Sequence, residues 1–139
     1  MDEERDVQQT YMEIQQIEQQ LKQLREHQSV LGGQFTELQK LREGLDEVGN
    51  VKEGSASYMP LGSGIFIEGE IKNTKRIIMN VGADVAVIKS LDKAKQTLDT
   101  QLAEVQKILE RLDEDMGKMT IHGTALQEEL RVMMREKKR

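Results

Sequence analysis

Along the first third of the chain, apolar residues return at alternating intervals of three and four. With heptad position a at Val7, Ile14, Leu21, Gln28, Phe35 and Arg42, position d falls at Thr10, Ile17, Leu24, Leu31, Leu38 and Leu45. Nine of these twelve residues are apolar, against 37% of the whole chain. The last third repeats the pattern. Its a series is Ile88, Lys95, Leu102, Leu109, Met116, Gly123 and Leu130, and its d series is Leu91, Leu98, Val105, Leu112, Met119, Leu126 and Met133, of which twelve of fourteen are apolar. A seam of mean spacing 3.5 kept up this long predicts a coiled coil rather than a surface helix. Between the arms the pattern stops. Seven of the eleven Gly lie from Gly44 to Gly82, and the one Pro is Pro60; both residue types are poor in helix interiors. The organisation read from this is one domain: helix 1–48, a β-rich centre 49–87, and helix 88–139.

Two arms of similar length joined by about forty residues pair most simply within one chain, antiparallel. Facing residues would have numbers summing to 136 or 137, which sets Leu45 near Leu91, Val7 near Leu130 and Leu24 near Leu112. Each arm would be about 70 Å long at the helical rise. Charge agrees with this pairing. Asp2, Glu3, Glu4 and Asp6 open the chain, and Arg131, Arg135, Lys137, Lys138 and Arg139 close it. Each cluster complements its helix dipole, and antiparallel pairing brings the two together.

The centre reads as two β-hairpins in tandem. Residues 55–59 form a first, poor strand, 61–64 a turn and 65–71 a second strand. That strand puts Ile65, Ile67, Gly69 and Ile71 on one face and Phe66, Glu68 and Glu70 on the other. After a turn at 72–75 come a third strand, 76–81, a turn at 82–84 and a short fourth strand, 85–87. Isolated hairpins are marginal in water and their open edges recruit other strands. The centre therefore predicts oligomerisation through Ile65, Phe66, Ile67, Ile71, Ile77, Ile78, Val81, Val85 and Val87. The alternative is a small sheet packed on the base of its own coiled coil.

Composition narrows the function classes. Zero Cys excludes disulfides, iron–sulfur ligation and a thiol nucleophile, and fits a reducing compartment. No apolar run approaches the roughly 20 residues of a membrane span. The acidic opening does not read as a targeting peptide, so the expectation is a soluble cytoplasmic protein with no membrane partner. A net charge of −5 argues against nucleic acid as a partner. No catalytic, cofactor or metal site is expected. His27 and His122 stand alone. Gly62-Ser63-Gly64 lacks the further Gly and the following helix of a dinucleotide loop. Asp113-Glu114-Asp115-Met116-Gly117 lies inside the heptad and lacks the later ligands of a calcium loop.

Large apolar residues off the seam gather near the chain ends: Tyr11, Met12, Ile121, Val132 and Met134. Over the longer middle of both arms the large off-seam apolar residues are only Val30, Leu41 and Ile108. Exposed apolar groups at loose helix ends can hold apolar segments of other chains, and Met suits such work because it is flexible and polarizable. Frayed ends that merely tolerate such residues are the other explanation. Gly32-Gly33 interrupts the first arm, as a flex point or a tolerated weak spot.

The order helix, two hairpins, helix, with Pro60-Leu61-Gly62-Ser63-Gly64 ahead of a strand, Val81-Gly82-Ala83 closing the next and Lys89-Ser90-Leu91 entering the helix, resembles the prefoldin family. The two hairpins are similar to its archaeal alpha-type subunits. The resemblance implies an α+β fold whose hairpins assemble into a β-barrel platform, in a hetero-oligomeric hexamer of two alpha and four beta-type subunits. It implies an ATP-independent, non-enzymatic co-chaperone that grips unfolded polypeptide at its coiled-coil tips and passes it to a group II chaperonin. The tip residues on this chain would be Val7, Tyr11, Met12, Ile14, Leu126, Leu130, Val132, Met133 and Met134. The competing class is a structural coiled-coil tether or spacer, dimerised by its β centre.

Overall fold

The computed structural model describes residues 2–137; Lys138, Arg139 and the side chain of Asp2, members of the terminal charge clusters, lie outside what it describes. In chain order the elements are α1 (Asp2–Gly49), β1 (Ala56–Gly62), β2 (Ile65–Glu70), β3 (Arg76–Asn80), β4 (Ala86–Ser90) and α2 (Leu91–Lys137). They form two compact units, Met1–Gln34 with Val105–Arg139, and Phe35–Glu104. In each unit α1 and α2 run antiparallel. The helix α1 continues through Gly32-Gly33 without a break.

Every a and d position within the two helices is at least partly withdrawn from solvent, including the polar Gln28, Arg42 and Lys95. In the first unit Ile14, Ile17 and Leu126 are buried, with Leu21, Met119 and Leu130 packed on them. Gly123 occupies an a position because its backbone comes close to the partner helix: a Cβ there would stand 3.2 Å from Ile17 Cγ2.

The alignment of the arms differs from the one read off the sequence. Gly49 faces Leu91, Ile17 faces Gly123, and Val7 lines a groove with Met133; these residue numbers sum to 140, one helical turn from the expected 136 or 137. Step lengths explain it. Going up α1 from a to d takes three residues, and from d to a four. Going down α2, three residues lead from d to a and four from a to d. Only a facing d lets every step match. The a-on-a alignment alternates three against four and slips by a residue at each layer. We therefore expect Leu24→Cys with Met116→Cys, whose numbers sum to 140, to cross-link on mild oxidation in this otherwise Cys-free chain. Leu24→Cys with Leu112→Cys should lag well behind; the reverse order on a non-reducing gel would overturn this alignment.

Two of the polar seam residues are tied together in the second unit. Arg42 donates to Asp46 at 2.6 Å and to Asp99 at 2.8 Å, and Lys95 reaches Asp46 at 3.1 Å. A polar residue at a heptad core position costs stability but selects one register, and here two such residues share one carboxylate across the helices. The hydrogen bond from Arg42, then that from Lys95, holds the Asp46 carboxyl below its ordinary range. A carboxylate easier to ionise folded than unfolded adds stability at neutral pH, and that stability is lost as the pH falls through and below the carboxylate range. Asp46→Asn should thus lower the melting temperature at pH 7 but change little at about pH 2.5; equal effects at both would sever the link between this cluster and acid sensitivity.

The centre holds two separate two-stranded antiparallel sheets, β1–β2 and β3–β4. Two boundaries lie beyond the sequence expectation. The first strand runs on through Pro60 and Leu61 to Gly62, with a bulge between Pro60 and Gly62 that leaves only Ser63-Gly64 for the turn. Pro60 is tolerated because β1 is an edge strand. The fourth strand reaches Ser90, pairing in full from Arg76↔Ser90 to Asn80↔Ala86. Ser90 Oγ then accepts the N–H of Lys93 at 3.2 Å, an N-cap that starts α2 at Leu91. Ile88, read as the first seam residue of the second arm, is therefore a strand residue.

The hairpins repeat one device at a spacing of twenty residues. Gly62, Ser63 and Gly64 have φ of 117°, 51° and 80°, and Gly82, Ala83 and Asp84 have 105°, 50° and 60°. Positive φ at both central residues gives two-residue turns whose twist matches that of the strands. In the second hairpin Asn80 Oδ1 also accepts the Gly82 N–H at 3.0 Å.

Candidate functional site

Two surfaces remain open. The first is the hairpins. Ile65, Phe66, Ile67, Ile78, Val81 and Val85 are exposed, while Ile71, Ile77 and Val87 are half-buried. The hairpins differ in what they lean on. In β3 and β4 burial alternates, with Ile77, Met79, Val87 and Lys89 half-covered and their neighbours open. Ile77, Ile78, Met79 and Asn80 line a groove of about 320 Å³ with Leu38, Leu41, Leu45, Leu98 and Gln101, and Lys89 Nζ donates to Thr97 Oγ1 at 3.0 Å. One face of the second hairpin thus belongs to its own helices. Hairpin β1–β2 has nearly all its side chains exposed on both faces.

Sequence reasoning missed Tyr58, Met59, Leu61 and Ile88, all large, apolar and exposed on the hairpins. The first three sit in β1, of which residues 55–59 read from the sequence as a poor strand and Leu61 as turn, and Ile88 reads as the first seam residue of the second helix. A signal for Met59 existed in Gly69: the pair lies on one face, and a Cβ at Gly69 would stand 2.5 Å from Met59 Cε. The thioether lies where a side chain would otherwise be.

The second surface is the helix termini of the first unit. Tyr11, Met12, Ile121, Val132 and Met134 are exposed, Ile121 to 74%. Three of the expected tip residues do different work. Ile14 and Leu126, each 7% exposed, are core, and Leu130 packs against them. Being at a and d, they face the other helix, which buries Ile14 and Leu126 and half-buries Leu130. Val7 and Met133 are half-buried, lining a groove with Glu3, Asp6, Glu136 and Lys137. Lys137 Nζ lies 3.5 Å from Glu4 Oε1, so the terminal clusters do meet. Arg131 donates to Glu128 at 2.6 Å and holds that carboxyl below its ordinary value.

Among the described residues no group of His, Asp or Glu is placed to hold a metal ion, and no helix is long and apolar enough to cross a membrane. His27 and His122 are exposed. Gly62-Ser63-Gly64 closes a hairpin, and Asp113 to Gly117 lie within α2.

Two long antiparallel helices with two β-hairpins between them define the class of fold, and comparison with known proteins specifies the family. The family model for prefoldin subunits matches residues 4–135. The chain belongs to the prefoldin subunit family, and within it sits with the alpha-type subunits. Prefoldin subunit alpha of Methanobrevibacter smithii is 30% identical over 86 residues, covering 62% of this chain and 58% of that protein. Prefoldin subunit alpha 2 of Thermococcus kodakarensis is 32% identical over 90 residues, covering 62% and 61%. The chain thus spans about three-fifths of the length of these two relatives. With prefoldin subunit alpha of Methanococcus vannielii the identity is 28% over 125 residues, 90% of this chain and 84% of that one. In fold, the cryo-EM structure of filamentous PFD from Methanocaldococcus jannaschii matches with a TM-score of 0.73 at 16% identity, over 84% of this chain and 96% of that one.

Proposed function

We propose that this chain is a holdase subunit of an ATP-independent cytoplasmic co-chaperone. Its hairpins join it to beta-type subunits, two alpha with four beta, and its helix ends grip unfolded polypeptide and deliver it to a group II chaperonin. Membership of a family of non-enzymatic chaperones supports the class. The observation that carries the site is the division of labour at the helix ends. Ile14, Leu126 and Leu130 close the seam, so Tyr11, Met12, Val132 and Met134 are surplus to it and stay exposed. Apolar surface that the fold does not consume is what a client's apolar segments need.

The test is dilution of a chemically unfolded client into the chain assembled with a beta-type subunit, with no nucleotide. Light scattering should be suppressed, and a group II chaperonin with ATP should then recover native client. Scattering equal to that of client alone would overturn the holdase reading and favour the tether; suppression without transfer would confine the role to holding.

A further inference from the structure

We propose that Met12 and Met134 are oxidation sites, and that a peroxide, by converting them to sulfoxides, reversibly weakens the hold of the helix ends on a client. This rests on reading the helix ends as the client site. The chain has eight Met and neither Cys nor Trp. With no thiol to react first, the thioether is the side chain that a mild peroxide oxidises most readily. Which Met reacts is then a matter of access, and the fold sorts them. Met12 is 62% exposed and Met134 47%. Met116 and Met119 occupy a and d positions and are half-buried in the seam, Met119 against the cluster of Ile14, Ile17 and Leu126. Met133 is half-buried beside Val7. In this unit the open sulfurs thus belong to the proposed client contacts and the sheltered ones to the fold. Met59 is also exposed, but it lies on β1 in the other unit.

The step balances with hydrogen peroxide as oxidant. A sulfur lone pair attacks one peroxide oxygen, and an S–O bond forms as the O–O bond breaks. The departing hydroxide takes the proton of the transferred oxygen and leaves as water. Sulfur gives up two electrons and the peroxide gains them. A dithiol acting through methionine sulfoxide reductases reverses this: the sulfoxide oxygen leaves as water and the two thiols become a disulfide. On the free chain the new S–O group stays hydrated, because both positions are open to solvent. An apolar client segment settling on it would strip that water and offer no donor in return, which is costly. Oxidation therefore acts on the contact and spares the seam. Met12 on α1 and Met134 on α2 are two of the four side chains proposed to hold the client, so one reaction removes half of that apolar surface.

The experiment treats the chain, assembled with a beta-type subunit, with dilute hydrogen peroxide, which catalase then destroys. Peptide mass spectrometry follows each Met, and light scattering of an unfolded client follows protection, each complex being compared with its own untreated sample. Met12 and Met134 should gain oxygen well before Met116 and Met119. Protection should fall roughly twofold or more as they do, because weak contacts multiply across the arms. Oligomer size and helix content should hold, and methionine sulfoxide reductases with dithiothreitol should restore protection. A complex carrying Met12→Leu and Met134→Leu should protect equally before and after treatment at its own starting level, which also clears the partner subunit of the effect. Met59→Leu should lose the same fraction as wild type. Oxidation of seam and exposed Met at one rate, an equal fractional loss in the double Leu variant, resistance conferred by Met59→Leu, or a loss that the reductases fail to repair would each overturn the proposal. Protection unchanged with Met12 and Met134 fully oxidised would sink the switch and keep the client reading, since the untreated complex still protects. An untreated complex that gives no protection would sink both.

Discussion

An assembled complex carrying Tyr11→Ser, Met12→Ser, Val132→Ser and Met134→Ser should lose nearly all protection of an unfolded client while keeping its size and helix content. All four side chains are exposed, and none belongs to the buried cluster of Ile14, Ile17 and Leu126. Their removal subtracts apolar surface and leaves the seam intact. The effect should be large because single contacts of this kind are weak and several arms acting together supply the affinity. Losing a fraction at each arm multiplies through the set. Light scattering of the diluted client measures it. Protection equal to wild type from an intact oligomer would move the client site elsewhere, first to Ile121 and the helix sides.

The converse pair of substitutions should spare the surface and break the support. Ile14→Ala and Leu126→Ala each remove a buried side chain from the same layer, where large-to-small changes cost about 2–5 kcal/mol. The two are neighbours, so their costs should not add simply. Thermal unfolding followed by circular dichroism should show the double variant melting far below wild type. Client protection should fall with it at temperatures where the first unit opens and hold below them. A double variant as stable as wild type would mean that this cluster is not what joins the helices there.

The helical seam was legible because its signal is long. Twelve of fourteen apolar positions in one arm leave no competing period, and the side chains at those positions inside α2 are sheltered without exception. The register was legible too, and was misread by one turn. Matching a to a and d to d is natural on paper, but only a against d keeps the three- and four-residue steps together when one helix is reversed. The strand ends were harder, because short-range propensity and long-range pairing disagree there. Pro60 and Gly62 are poor strand formers yet are paired with Phe66 and Ile65 in β2, with Leu61 bulged between them, and Ile88 satisfies the heptad while its backbone pairs with Ile78. The tip residues divided for a reason visible in the letters alone. Ile14, Leu126 and Leu130 carry a or d, so they were committed to the partner helix, whereas Tyr11, Met12, Val132 and Met134 do not.

The antiparallel alignment also sets an order of events during folding. Gly49 and Leu91 meet across 41 residues of intervening chain, and Glu4 and Lys137 across 132. Closing the larger loop directly costs about 1 kcal/mol more in chain entropy than closing the smaller. Once the innermost layer is set, however, each next layer closes over only three or four further residues on either side. The coil is thus built to zip outward from the hairpins, with the Arg42, Asp46, Lys95 and Asp99 cluster as an early check on alignment, because it lies within the first layers to close. Synthesis from the N-terminus works against this. The first arm emerges well before its partner, and the layers joining Glu4 to Lys137 must wait until α2 has been made. Until then α1 carries an uncovered apolar stripe, the same kind of exposed surface that the proposed holdase function would shelter in a client.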